Sequence, residues 1–417
     1  MRGELCLLFN GETYDLTPRS RLRFGPQRGD DVFLPEEPVS MRVDVDADGR
    51  ARVQELSARD GCSLKVRGHQ RREHWLVEGD VLCPGRSRIL VGRRLESTAS
   101  DGKWGLVWQG ILGGSKPALR MMEMLARAAS NRAPVWISGE SGTGKELAAR
   151  AIHESGARST HPFVAVNCAA LPDNLIESEL FGVERGAYTG AMKTRAGAFA
   201  QAHGGTLLLD EVGELSLTAQ AKLLRVLELG EVQPVGSERT VKVDVRVLCA
   251  SWRDLEAEVD AGRFRHDLLH RLWVLKVELP PLRERREDVP LLIRAMLERE
   301  RSLHLFPKAA VIERLGQHDW PGNIRELRNC VTRAVAADDS AELMPRTKQP
   351  RTARSVNSRI DDAVLHTLAR HRGNRRRTAQ ALGVSRSTLY RWLATGRVLP
   401  EATQPPDINT EVINLAS

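Results

Sequence analysis

The segment Gly139-Glu140-Ser141-Gly142-Thr143-Gly144-Lys145 constrains this chain more than any other stretch, because it fits G-x-x-x-x-G-K in the setting that gives the pattern meaning. Val135, Trp136 and Ile137 read as a buried strand entering the loop, and the pairs Leu147/Ala151 and Ala148/Ile152 put apolar groups on one face of a helix leaving it. Glycines let backbone N–H groups turn inward on a polyphosphate, the helix N-terminus adds positive potential, and Lys145 brings a point charge to the β and γ oxygens. The motif alone could be a glycine-rich turn opening a helix. With strand and helix in place it predicts an α/β nucleotide site, formed by Gly139 through Lys145 together with Glu146. Glu146 stands where a Ser/Thr hydroxyl usually meets Mg²⁺, so metal ligation falls to other groups.

Such a group follows 65 residues after Lys145, in Gly204-Gly205-Thr206-Leu207-Leu208-Leu209-Asp210-Glu211. Two acids at the carboxyl end of a buried strand sit where ligands bind in open α/β sheets. Asp210 can hold Mg²⁺ through water, and Glu211 can polarise the water that attacks a γ-phosphate. A strand that merely ends in a charged loop would look the same in isolation. Behind a phosphate-binding loop the pair predicts nucleotide hydrolysis.

The 417 residues are enough for two to four domains. Composition is ordinary for a soluble protein at 41% hydrophobic and 28% charged, and no apolar run reaches the roughly 18 residues of a membrane span. The start, MRGELCLLFN, has too short an apolar stretch for a signal peptide, so a cytoplasmic protein without a membrane partner is expected. Six scattered cysteines with no C-x-x-C pair are read as buried thiols rather than a disulfide or zinc framework. Residues 1–105 carry period-2 alternation, as in Met41, Val43, Val45, the Asp48-Gly49 turn, then Ala51 and Val53, which predicts an all-β domain. Residues 109–340 alternate apolar strands with helices. Residues 341–357 read as a linker, 358–398 as an all-α unit, and 399–417 as a disordered tail.

Four stretches of the middle region, GESGTGKE, ESELFGVERGAYTGA, GGTLLLDEVGEL and WPGNIREL, resemble the AAA+ ATPase of bacterial enhancer-binding proteins, the activators of sigma-54 RNA polymerase. The resemblance makes Glu146 the usual residue after the loop lysine, and it implies a helical lid and a ring, typically a hexamer. It implies that Gly186-Ala187-Tyr188-Thr189-Gly190-Ala191 touches the sigma factor, with Tyr188 where relatives carry Phe. On sequence physics alone that segment is equally a bland glycine-rich turn. It further implies that Arg265 and Arg271 serve a neighbouring subunit's site, although six residues apart they do not share a helical face and a solvated helix would look similar. Arg325 matches the lid arginine that senses the γ-phosphate, against an ordinary surface arginine. Asn167 matches the polar partner that holds Glu211 idle, against a turn residue. Where relatives have Thr-Asn on the sensor strand this chain has Ser251-Trp252, and an indole cannot mimic an amide.

Between Ala363 and Pro400 there is no acid, and Ser385 is a fitting N-cap for a helix whose Leu389 and Leu393 point inward. The arginine cluster suits phosphate neutralisation on duplex DNA, with Arg386, Ser387, Tyr390 and Arg391 available to a major groove and Arg375 and Arg376 to the backbone. A charged helical hairpin that binds nothing is the alternative. The segment resembles the Fis-type helix-turn-helix of the same activators, which implies enhancer DNA as partner and dimeric binding. The first domain resembles a forkhead-associated β-sandwich through Val77–Leu82, Pro84-Gly85 and Ile89–Gly92, with Ser40 and Gly61 at its loop positions. That would make a phosphothreonine protein a candidate ligand, yet Pro26, Met41, Val43 and Asp60 depart from the phosphate grip, and an acid repels phosphate. The expected function is sigma-54-dependent activation driven by ATP hydrolysis. Two competitors stand beside it: a DNA-bound regulator in which ATP only switches assembly, and an AAA+ remodeller with another client.

Overall fold

The structure is a computed structural model. It describes residues 5–27, 30–34, 37–59, 62–96, 104–187 and 193–345, and beyond these 367, 370, 371, 374–381, 384, 385 and 389. The chain divides into two units, residues 1–345 and 346–417.

The first unit begins with a two-sheet sandwich. One sheet holds β1 (Leu5–Phe9), β2 (Glu12–Asp15), β7 (Lys65–Val66), β8 (His69–Gln70), β10 (Val81–Cys83), β11 (Ile89–Glu96), β12 (Trp104–Trp108) and β13 (Ile111–Gly113). The other holds β3 (Arg21–Gly25), β4 (Val32–Phe33), β5 (Val39–Val45), β6 (Ala51–Ala58) and β9 (Glu73–Trp75). Leu7, Leu82, Ile89 and Val91 from the first meet Phe24, Met41, Val43 and Val53 from the second in one dry core. The expected hairpin is present: β5 pairs with β6, and the Asp46 carboxylate accepts the N–H groups of Asp48 and Arg50 across the turn. The first sheet is covered on its outer face too. Cys6, Leu8, Leu90, Leu106 and Trp108 share a core with α1 (Lys116–Ala129) and with the sheet beyond it. Burial on both faces explains why Cys6-Leu7-Leu8-Phe9 and Ile89-Leu90-Val91 are continuous apolar runs rather than alternating ones.

The α/β layer has five parallel strands in the order β15 (Phe163–Asn167), β18 (Thr206–Asp210), β21 (Arg246–Ser251), β14 (Val135–Ser138) and β22 (Leu275–Glu278). Around it lie α2 (Lys145–Glu154), α3 (Asp173–Phe181), α4 (Ala198–Gln201), α5 (Leu217–Leu229), α6 (Leu255–Asp260) and α7 (His266–Leu272). Two short antiparallel pairs, β16 (Gly182–Val183) with β17 (Arg195–Ala196) and β19 (Glu231–Val232) with β20 (Val241–Lys242), project from it. A helical lid of α8 (Val289–Arg299), α9 (Ala309–Gln317) and α10 (Asn323–Ala337) closes around Trp320, which is fully buried and donates its indole N–H to the Leu315 carbonyl at 3.0 Å.

In the second unit, α11 (Arg375–Ala381) buries Thr378 and Ala379. Asn374 caps it by accepting the Arg377 N–H, and Leu389 is buried with its N–H donated to the Ser385 carbonyl, one helical turn on. All six cysteines are free; five are buried, and Cys62 is exposed. Among the described residues no helix is long and apolar enough to cross a membrane.

Candidate active site

The phosphate-binding loop leaves β14 and ends at α2, whose first residue is Lys145. Lys145 is only 7% exposed; its Nζ donates to the Gly139 carbonyl at 3.0 Å and to the Glu140 carbonyl at 3.4 Å, and lies 3.7 Å from the Glu211 carboxylate. The loop must contain glycine at 142. Its φ is +82°, and a Cβ there would stand 2.3 Å from the Gly322 carbonyl oxygen of the lid. Glu146 faces solvent and pairs with Arg150 at 3.6 Å, a helix-surface contact in the first turn of α2. The apolar face of α2 is carried by Ala148, Ala149, Ala151 and Ile152. Leu147, expected on that face, is 42% exposed and instead stands across from Gly110.

β18 delivers the two acids. Asp210 accepts the Glu211 N–H, and Glu211 sits at φ +55°, a left-handed conformation that a non-glycine residue keeps only where its surroundings hold it. Burial pushes both carboxyls above the ordinary range, with the Lys145 ammonium pulling the other way. The neighbouring strand β21 ends at Ser251, so the next backbone N–H, that of Trp252, reaches the Glu211 carboxylate at 3.4 Å. The indole itself is 55% exposed and lies under Arg253. Ser251 accepts from the Arg253 N–H and is used locally. Asn167 lies beside Asp210 in the sheet, and its carboxamide oxygen accepts the Ala169 N–H. The bond that orients Glu211 therefore comes from the backbone at Trp252.

The lid is latched to the loop. Arg325 donates to the Ser141 hydroxyl at 2.8 Å. Arg283 makes two bonds to Glu140, at 2.9 and 2.6 Å, and holds that carboxyl below its usual range. Asn323 is fully buried; its amide donates to Glu140 and to the Ser141 carbonyl, both at 3.1 Å, and its oxygen accepts the Leu282 N–H at 2.8 Å. Sequence reasoning took only Arg325 from WPGNIREL. The Asn323 of that same stretch was in view, but nothing in a sequence marks which polar side chain will be shut inside.

Loop, acids and lid line a cavity of about 430 Å³, whose wall combines Lys145, Asp210 and Glu211 with Arg285, Arg299, Arg325 and Arg328 of the lid and with apolar Val107, Ile111, Leu112 and Leu292. Val107 belongs to β12, a strand paired with β11 of the sandwich, so the first domain's own sheet supplies part of the wall. Gly105 permits the fit: a Cβ there would be 2.0 Å from Leu291 of α8.

The other expected residues lie apart from this cavity. Arg265 is exposed at the start of α7 and chelated by Asp267, and Arg271 is exposed in its last turn. Gly186 and Ala187 stand on the segment between β16 and β17, near Gly236. Tyr188, Thr189, Gly190 and Ala191 lie outside the described residues, as do Arg386, Ser387, Tyr390 and Arg391 and the loop positions Asp60 and Gly61. Arg375 and Arg376 are exposed on α11. Among the described residues no cluster of three His, Cys, Asp or Glu is placed to hold a metal by itself.

Residues 111–278 match the sigma-54 interaction domain, 283–363 the AAA+ ATPase lid domain and 362–394 the bacterial regulatory proteins of the Fis family. The regulatory protein AtoC of Escherichia coli K12 is 44% identical over 308 residues, covering 68% of this chain and 66% of AtoC. The response regulator protein PilR of Pseudomonas aeruginosa is 42% identical over 330 residues, 74% of each chain. The chain thus spans about two thirds to three quarters of the length of these relatives. A crystal structure of NtrX from Brucella abortus in complex with ATP superposes with a TM-score of 0.52 at 35% identity over 68% of either chain. From these matches, and from a phosphate loop, acid pair and lid joined in one cavity, the chain belongs to the family of sigma-54-dependent transcriptional activators.

Proposed function

We propose that this protein hydrolyses ATP in the cavity between the phosphate loop and the lid, and that the cycle moves the Gly186–Ala191 loop against sigma-54 RNA polymerase while the C-terminal unit holds double-stranded enhancer DNA. The observation that carries the reading is the convergence of Lys145, Asp210, Glu211 and Arg325 on one cavity. The donors suit MgATP. Among the described residues Lys145 is buried with backbone carbonyls and Glu211 as its partners, so a triphosphate would meet a cation already desolvated. A single half-buried Asp210 suits a Mg²⁺ that keeps its waters and takes its remaining ligands from phosphate. When bound, that ion would neutralise charge on the β and γ oxygens.

The rest is done by side chains. Glu211, held by the Trp252 N–H, takes a proton from water as the water oxygen bonds to the γ-phosphorus and the β–γ bridging P–O bond breaks, with the bridging oxygen leaving on ADP. Arg325, now bonded to Ser141, is free to exchange that hydroxyl for the γ-phosphate and so report its presence to the lid. Arg265 and Arg271, exposed and away from their own cavity, suit donation to the site of the next subunit in a ring, a hexamer in the family's pattern. On DNA the C-terminal unit would act as a dimer, in the pattern of the Fis-type helix-turn-helix, and the work is cytoplasmic. A phosphothreonine protein is a candidate ligand of the sandwich, whose loop positions Asp60 and Gly61 lie outside the described residues.

Phosphate release by the full chain, compared with Glu211→Gln, tests the enzyme reading; equal rates would leave only the ATP-switch alternative. Loss of sigma-54 binding on Thr189→Ala is expected, and unchanged binding would point to another client.

A further inference from the structure

Four arginines of the lid line the cavity, and Arg285 differs from the exposed Arg299, Arg325 and Arg328 in being buried. Arg285 follows the turn Leu282–Glu284 and is 3% exposed, and it lines the cavity. Its Nε and one terminal guanidinium nitrogen are shut off from solvent with no hydrogen-bond partner among the described residues. Asp288, the acid whose charge acts on Arg285, is already committed: it accepts the N–H groups of Gly114 and Ser115 and the Ser115 hydroxyl, at 2.7, 2.8 and 2.8 Å. Leaving buried donors of a charged group unpaired is expensive, and native proteins do so chiefly where a ligand completes them. Burial also drives the Arg285 guanidinium below its usual pKa.

Its place indicates which part of a ligand it meets. Asp288, one 3-10 turn further on, is bonded to Gly114 and Ser115, immediately after β13, and Ile111 and Leu112 of β13 form the apolar wall. With a triphosphate seated on Lys145, the base and ribose would reach the apolar wall that Ile111 and Leu112 supply. We propose that Arg285 is a nucleoside-binding residue, its guanidinium donating to acceptor atoms of the purine ring or ribose rather than to phosphate. A donor-only fork favours ring nitrogens and ribose oxygens over exocyclic amines. The inference rests on the cavity being the ATP site.

The test uses the full chain, titrated calorimetrically with ATP and with tripolyphosphate, and melted without ligand. Arg285→Met should weaken ATP about 10- to 100-fold. It should leave tripolyphosphate binding within about twofold and keep or raise the ligand-free melting temperature, because an unpaired buried charge is gone. Arg285→Lys, which keeps charge without the planar fork, should fall between. Unchanged ATP affinity overturns the assignment. So does equal weakening of ATP and tripolyphosphate, which would make Arg285 a phosphate contact, and so does a lowered ligand-free melting temperature or failure to fold, which would make it a structural cation. Wild-type protein that binds neither ligand would refute the ATP-site reading itself, and Lys145→Ala, expected to lose both, marks that case.

Discussion

Asn323→Ala should undock the lid from the phosphate loop. The Asn323 backbone sits at φ +52°, in a conformation asparagine tolerates better than alanine by on the order of 1 kcal/mol. Its removal leaves the N–H of fully buried Leu282 without an acceptor, about 1–3 kcal/mol. It also deletes the amide bonds to the charged Glu140 and to the Ser141 carbonyl. Glu140 keeps Arg283, so the latch is weakened rather than abolished, and a loss of about 3 kcal/mol is reasonable. That is a factor of more than about 100 in the docking equilibrium. Hydrogen exchange is the natural assay, since α10 amides should exchange at least tenfold faster while those of β14 and β18 change little; urea unfolding should show an earlier lid transition. Asn323→Asp keeps the acceptor for Leu282 but sets a second carboxylate against Glu140, and should also open the lid. If α10 exchanged at the wild-type rate in both variants, the latch would not be what holds the lid.

The raised carboxyls set a pH dependence: hydrolysis requires ionised Glu211, so kcat/KM should fall as pH drops through a value above the ordinary range near 4, and an acid limb in the ordinary range would contradict the burial argument. Gly105→Val should drive the β12 strand off Leu291, costing about 1–3 kcal/mol of stability and weakening ATP binding through the shared wall; an unchanged affinity would separate the sandwich from the cavity. Arg265→Ala or Arg271→Ala should leave ATP binding intact and lower turnover of the assembled ring by roughly 1000-fold, measured by phosphate release, whereas equal activity would return both to the solvated surface.

The strand, loop and helix around Lys145 were legible because glycines and a terminal lysine at fixed spacing have few other uses. The Asp48-Gly49 hairpin was legible for the same kind of reason, period-2 alternation on either side of a turn pair. What could not be read were contacts between distant segments. Nothing in Trp104–Gly113 announces that a sandwich strand will wall a cavity built from residues after 135. Arg283, Arg285 and Arg286 stand almost side by side in the sequence, yet one chelates Glu140, one is buried and unpaired, and one pairs with Asp319 at the surface. At Trp252 side-chain chemistry says only that an indole cannot mimic the relatives' amide. Its backbone N–H does work that any residue there could do.

The central claim is that splitting ATP between Lys145 and Glu211 is what opens a promoter. The direct measurement is open-complex formation at a sigma-54 promoter carrying the enhancer, using full-length wild-type and Glu211→Gln protein with ATP. Open complexes are expected only with wild-type protein and hydrolysable ATP, with the variant binding nucleotide yet leaving the promoter closed. Equal opening by the variant, or by wild-type protein with a non-hydrolysable analogue, would contradict the account.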